Sequence, residues 1–233
     1  MTSTTLSHRK LGAERSRSPA QLLKDCSSSE IVFEGIMNIS NLLEKTNDQD
    51  DQLLVIGGVN WQQYLDMDDS LGSVPGLRFT YCQGLLEIMT LSPRHEQEKS
   101  ILARLLETYA LVKNIDLHGY GSTTQRHETN QVGLEPDESY CVGELKPVPN
   151  LAIEVVVTSG GINKLAVYQA LGIEEVWFWQ DQQLSIYLLQ RGEYRLNNQS
   201  SLFPDLDLAI LTSYIQPDRQ PQAVREFYQF LLQ

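Results

Sequence analysis

Residues 150–171 read NLAIEVVVTSGGINKLAVYQAL, and this stretch decides the fold. Leu151 to Val157 is apolar except at Glu154. A short, near-continuous run rich in β-branched residues reads as a central strand buried on both faces. The TSGG that follows breaks the run, and Ile162 to Leu171 reads as a short helix stopped by Gly172. A buried strand, a tight turn and a helix, in that order, belong to a sheet covered by helices.

The flanking segments extend the pattern. EEVWFWQ (174–180) and LSIYLLQ (184–190) read as two strands joined through Asp181-Gln182. RFTYCQGLLEIM (78–89) reads as a hairpin turning at Gln83-Gly84. In LSPRHEQEKSILARLLETYALVKN (91–114), Ile101, Leu102, Leu105, Leu106, Tyr109 and Val112 fall on one helical face, with Ser92 as N-cap and Pro93 in the first turn. Asn60 caps a helix beginning at Trp61, after the apolar run LLVIGG (53–58). IDLHGYGSTTQ (115–125) and ESYCVG (138–143) read as short strands, and a closing helix is expected over Gln222 to Leu232. The expectation is an α/β (α+β) fold, a mixed sheet with helices on its faces.

The chain has 233 residues with 41% hydrophobic content, enough for one sizeable domain and an extension. The extension is placed at residues 1–50, a polar arm with one short helix over Ile31 to Leu43 that ends in KTNDQDDQ (45–52). The domain proper is placed at 53–215, with a C-terminal helical segment over 216–233. No apolar stretch is long enough to span a bilayer, and the basic N-terminus has no apolar run behind it of the secretory type. Cys26, Cys82 and Cys141 lack metal-type spacing; so sparse an odd set fits a reducing cytoplasm. The formal net charge of −12 argues against non-specific wrapping of nucleic acid, although a local basic lining and a divalent ion offset an acidic surface.

Three polar residues resist a purely structural account. Glu154 interrupts an apolar strand, where a carboxylate is costly unless paired, protonated or metal-bound. Asp137 follows Pro136 at the start of another strand, and Lys164 opens the helix ten residues after Glu154. A strand-turn-helix places the start of the helix, Lys164, near the end of the Glu154 strand, so the two acids and the lysine are expected to meet at one edge of the sheet. Two carboxylates and an ammonium suit phosphodiester hydrolysis: magnesium prefers oxygen ligands and keeps several waters, and an ammonium steadies developing charge. Residue types alone leave a second reading open, a structural Glu154–Lys164 ion pair with Asp137 as a turn residue. Trp177 and Trp179 share a strand face, with Phe178 opposite, and read as core rather than as a base-stacking platform.

The segments RFTYCQGLLEIMTLSPRHE, GLEPDESY, LAIEVVVTSGGINKLAVYQALGIEEVWFW and LSIYLLQRGEY…FPDLDL, spread from Val59 to Leu211, resemble the Uma-type family, a domain of unknown function placed in the PD-(D/E)XK superfamily of nucleases. The resemblance implies a restriction-endonuclease-like sheet and a site for Mg²⁺ or Mn²⁺. It places the PD motif on Pro136-Asp137, the acidic member on Glu154, and a further ligand on the backbone carbonyl of Val155. The superfamily's plain pattern has its lysine two residues after the acid, where this chain has Val156; the family's lysine lies on the next helix and matches Lys164. His95 and Glu96 match a His-Glu pair at the start of the first long helix. Extending the apolar stripe backwards sets His95 near the core side and Glu96 away from it. Glu87 alternates with Leu86 and Ile88 and is expected to support the same cleft; Arg126, matching a basic position, would hold a phosphate or balance the carboxylates.

The expected function is therefore a Mg²⁺-dependent endonuclease acting on DNA, expected to be duplex, bound weakly and salt-sensitively by a homodimer. The competing expectations are a nuclease-fold interaction or regulatory module without catalysis, and another metal-dependent hydrolase using the same acids.

Overall fold

The computed structural model describes residues 50–72, 74–158 and 160–233. Of the arm expected over residues 1–50, all but the last residue lies outside them, its helix and Cys26 included.

The order is β1 (Gln52–Gly57), α1 (Trp61–Leu71), β2 (Leu77–Cys82), β3 (Leu85–Thr90), α2 (Pro93–Lys113), β4 (Leu117–Gly119), β5 (Gln125–His127), β6 (Val132–Leu134), β7 (Glu138–Val142) and β8 (Leu151–Val156). There follow α3 (Lys164–Leu171), β9 (Glu175–Gln180), β10 (Gln183–Gln190), β11 (Glu193–Asn197), α4 (Leu208–Ser213), a 3₁₀ turn (Pro217–Arg219) and α5 (Gln220–Leu231). Local chemistry accounts for many of the boundaries. Asn60 and Gln63 form a capping box on α1. Ser92 accepts from the His95 backbone N–H, Pro93 fills the first turn of α2, and Asn114 ends that helix in the left-handed conformation. Gln83 and Gly84 both have positive φ, 45° and 98°, as a two-residue hairpin between Cys82 and Leu85 requires.

Helices flank not one sheet but two. The first is antiparallel, in the order β1-β3-β2-β6-β5; the second runs β11-β10-β9-β8-β7-β4, with β8–β9 its parallel pair. The division follows from where apolar surface is buried. Phe79, Tyr81, Leu86 and Ile88 of the first sheet close on Tyr64, Met67 and Leu71 of α1 as a core of their own. Ile153, Val155, Trp177 and Trp179 of the second sheet pack against the α2 stripe and against Ala223 and Phe227 of α5. Both tryptophans are core, as their strand positions predict, and α5 is part of that core. A third cluster joins the sheets: Val167 and Tyr168 of α3 meet Val132 and Leu134 of β6 and Ala152 and Val176 of β8 and β9. Thus α3 sits at the junction, with its N-terminus at the end of β8. It begins at Lys164 rather than Ile162 because the Asn163 side chain caps it by accepting from the Leu165 N–H. Among the described residues no helix is long and apolar enough to cross a membrane.

Candidate active site

Strand pairing brings the two acids together. Glu138 of β7 faces Ile153 of β8 in antiparallel register, so one step further sets Asp137 across from Glu154. Like charges so placed repel, and both groups are buried, at 2% and 0% exposure. Each is held by donors. Asp137 Oδ2 accepts from the Val155 backbone N–H at 2.7 Å, and its Oδ1 lies 3.0 Å from His95 Nε2, an ion-pair distance at an angle outside good hydrogen-bond geometry. Glu154 Oε2 accepts from Lys164 Nζ at 2.6 Å, while its Oε1 accepts from the Tyr168 hydroxyl. Tyr168 lies one helical turn after Lys164 on α3, so both reach the same carboxylate.

These partners push the two acids in opposite directions. Burial raises Asp137, but His95, Lys164 and the Val155 N–H outweigh it and hold the carboxyl below its ordinary value. Burial dominates at Glu154; Lys164 opposes it, Asp137 reinforces it, and the carboxyl is raised. Burial lowers Lys164, yet Glu154 and Asp137 more than reverse this, so the amine stays protonated at neutral pH. It serves as a fixed positive charge, not as a base.

His95 is wholly buried and bridges two acids. Its Nδ1 lies 2.9 Å from Asp51 Oδ2, and Asp51 Oδ1 accepts from the Ser92 N–H at 2.8 Å, tying the chain before β1 to the start of α2. Thr158, after β8, donates to the Asp51 carbonyl at 3.2 Å. Glu87 of β3 accepts through Oε2 from the N–H groups of Gly161 and Ile162, at 2.6 and 3.0 Å, and so pins the turn before α3. Its Oε1 is buried with no partner among the described residues. Beside this cluster a cleft of about 290 Å³ opens between the sheets, lined by Glu87, Asn163, Lys164, Phe178, Ser185 and Tyr187 among others.

Of the residues expected from sequence, Asp137, Glu154, Lys164 and His95 converge, and Val155 lies between them through its backbone. Glu87 supports the turn. Glu96 is a half-exposed partner of Lys99 at 2.7 Å and makes no bond to the acids. Arg126 pairs with Asp68 and lies over the Tyr64 ring, so the carboxylate it balances belongs to α1. Sequence reasoning missed Asp51 and Tyr168. The i,i+4 spacing from Lys164 is a signal for Tyr168; Asp51, inside a polar run, offers none.

Among the described residues no group of three or more His, Cys, Asp or Glu forms a metal cage. Two neighbouring carboxylates are what an ion that keeps water in the rest of its shell would take, but all four oxygens of Asp137 and Glu154 face protein partners, which such an ion would have to share or displace. Charge favours such an ion. When all are ionised, the four carboxylates Asp51, Glu87, Asp137 and Glu154 exceed the two cations His95 and Lys164 by two negative charges, in a setting where unbalanced charge is costly.

Two sheets flanked by helices, with paired acids at the end of a central strand and a lysine on the next helix, define a restriction-endonuclease-like α/β protein. The chain belongs to the Uma2 family, described as "Putative restriction endonuclease", whose match spans residues 61–219. A search of curated proteins found no match to the chain.

Proposed function

We propose that the protein is a Mg²⁺- or Mn²⁺-dependent endonuclease that hydrolyses DNA phosphodiester bonds. The observation that carries this reading is the Asp137–Glu154 pair, buried cross-strand neighbours, with Lys164 bonded to Glu154 and itself lining the adjacent cleft. Family membership supports it. Asp137, Glu154 and the backbone carbonyl of Val155 would hold the ion; when bound, it would polarise the phosphate and lower the pKa of a coordinated water. His95 and the Val155 N–H fix Asp137 in place and keep it ionised. Glu154, raised by burial, would give up its proton when an ion binds there. The Lys164 ammonium, on the cleft wall, would offset charge that develops on the phosphate oxygens. The Tyr168 hydroxyl, which donates to Glu154, would keep that carboxylate in place if Lys164 turned toward the phosphate.

Binding to DNA would be weak and steeply salt-dependent, because a chain of net charge −12 has few cations to release counterions. A twofold homodimer would give a duplex two cleavage sites in matching symmetry. A non-catalytic interaction module is the second reading, and one observation favours it: both oxygens of Glu154 already have protein partners. Incubation with single-stranded and duplex DNA in EDTA, Mg²⁺ and Mn²⁺ separates the two. Metal-dependent cleavage that disappears in Asp137→Asn is expected; no cleavage by folded protein in either metal leaves the module reading standing.

A further inference from the structure

The cleft beside Lys164 has features that phosphate chemistry does not require. Its wall on the second sheet carries Phe178 of β9 and Tyr187 of β10, whose rings meet edge to face at 5.8 Å and 88°. Both are partly exposed, whereas their strand neighbours Trp177, Trp179, Ile186 and Leu188 are consumed by the core on the opposite face. Aromatic surface is thus displayed in a concave site. Gln180 and Ser185 add groups that both donate and accept on the same wall.

The opposite wall carries Glu87, a second and independent mark. One of its oxygens receives two backbone N–H groups, which fixes the side chain. The other receives none among the described residues, although Glu87 is only 1% exposed. A buried carboxylate oxygen without a donor calls for an explanation, and a donor brought by a ligand supplies one. The ligand this cleft suits has a flat π face, an N–H edge and an anionic group to set against Lys164.

We propose that the cleft takes an unpaired nucleobase, stacked face to face on one of the two perpendicular rings of Phe178 and Tyr187 and met by the other, with an N–H edge toward Glu87 Oε1 and its own phosphate at Lys164. The strand that is cut is then single-stranded, or a strand of a duplex opened locally at each site, rather than one that stays fully paired. A base inside a duplex has both faces covered and its Watson–Crick N–H groups paired, so it reaches such a pocket only by leaving the stack. Stacking reads any base and gives little sequence preference. The acidic surface fits as well: a mode that relies on stacking needs fewer phosphate contacts than one that wraps a duplex. The proposal rests on the nuclease reading for its biological meaning, but its binding part stands apart from catalysis.

The test is a fluorescence-anisotropy titration of one labelled oligonucleotide, as single strand and as blunt duplex, in EDTA so that nothing is cut. Wild type is expected to bind the single strand more tightly. Phe178→Ala and Tyr187→Ala are both expected to weaken that binding, by roughly 5- to 100-fold for the ring that carries the stacked base and by less for the other, and to leave duplex binding unchanged. Phe178→Leu keeps the apolar volume and removes the π face, so it serves if Phe178→Ala does not fold. Equal affinity for the two forms, no binding of either, or full single-strand affinity in folded Phe178→Leu overturns the proposal. Single-strand preference without cleavage in any metal keeps the pocket and removes the nuclease. Cleavage of intact duplex, unaffected in Phe178→Leu, keeps the nuclease and removes the pocket.

Discussion

His95 Nε2 stands 3.0 Å from Asp137 Oδ1, and the same ring reaches Asp51 on its other side. Burial lowers the imidazole, but the two carboxylates override it and push its pKa up to about 10, from 6.5 in an exposed chain. The folded value is raised, so the stabilisation is complete below pH 6.5 and is lost as pH rises through about 10. In EDTA, the free energy of urea unfolding of the wild type is expected to fall across that window. His95→Gln is expected to lack this fall and, near pH 6, to be about 3–5 kcal/mol less stable, because two buried carboxylates lose their cation. A flat wild-type profile from pH 6.5 to 10 contradicts the charged imidazole.

Metal should stabilise the fold. An ion that binds only the native state contributes about 2.7 kcal/mol at a hundred times its Kd, roughly 5–10 °C in Tm for a domain of this size. Melting in EDTA, in Mg²⁺ and in Mn²⁺ is expected to show that shift in wild type and not in Asp137→Asn. Equal shifts in both proteins place any bound ion elsewhere.

Lys164→Ala divides two roles that one ion pair combines. As a charge acting on substrate, Lys164 is expected to contribute about 10²–10⁴-fold to the cleavage rate while leaving metal binding intact. Lys164→Arg should rescue poorly, since a guanidinium is larger and needs a different geometry. As the partner of a buried carboxylate, its loss also destabilises the fold by up to about 3–5 kcal/mol. Calorimetric titration of metal into the folded variant, with rates taken per folded molecule, reads the two separately. An unchanged rate per folded molecule removes Lys164 from the chemistry.

Glu175 supplies the contrast. Like Glu154 it is a wholly buried carboxylate in a central strand, yet its oxygens receive the Trp177 indole N–H, the Ser201 N–H and hydroxyl and the Leu202 N–H. Donors this numerous, all from one corner, tether the 200–202 turn. Glu175→Gln places an amide where an acceptor is required; a stability loss of about 1–3 kcal/mol is expected, with cleavage per folded molecule unchanged. A rate loss in stable Glu175→Gln would assign it a function that its contacts do not suggest.

The contrast shows what could be read from the chain alone. Glu154 stands out because six apolar neighbours surround it, and Lys164 because a turn and a helix start lie at a fixed distance; both signals are local. The hairpins and α2 were legible for the same reason, through turn chemistry and a stripe at helical period. Asp51 was not, because an acid inside KTNDQDDQ carries the signature of a solvated linker, and only the docking of β1 beside α2 brings it to His95. Nor was the division into two sheets. The strands that complete the first, β5 and β6, have three residues each, too few for a period of two to register. Phe178 was legible as facing away from the tryptophans, but not that its side would border a cleft, since that depends on where β3 lies.

The bonds from Asp51 to His95 and from Glu87 to Gly161 close chain separations of 44 and 74 residues. The first continues the β1–β3 pairing that ends at Gln52 and Thr90, whereas the second ties that sheet to the turn before α3 and so waits for the two sheets to meet. Closing such loops comes late, because the entropy of bringing distant segments together must be met before any contact rewards it. A nascent or half-folded chain therefore holds its acids without their supports, and whatever reactivity the finished site has is withheld until the last docking step.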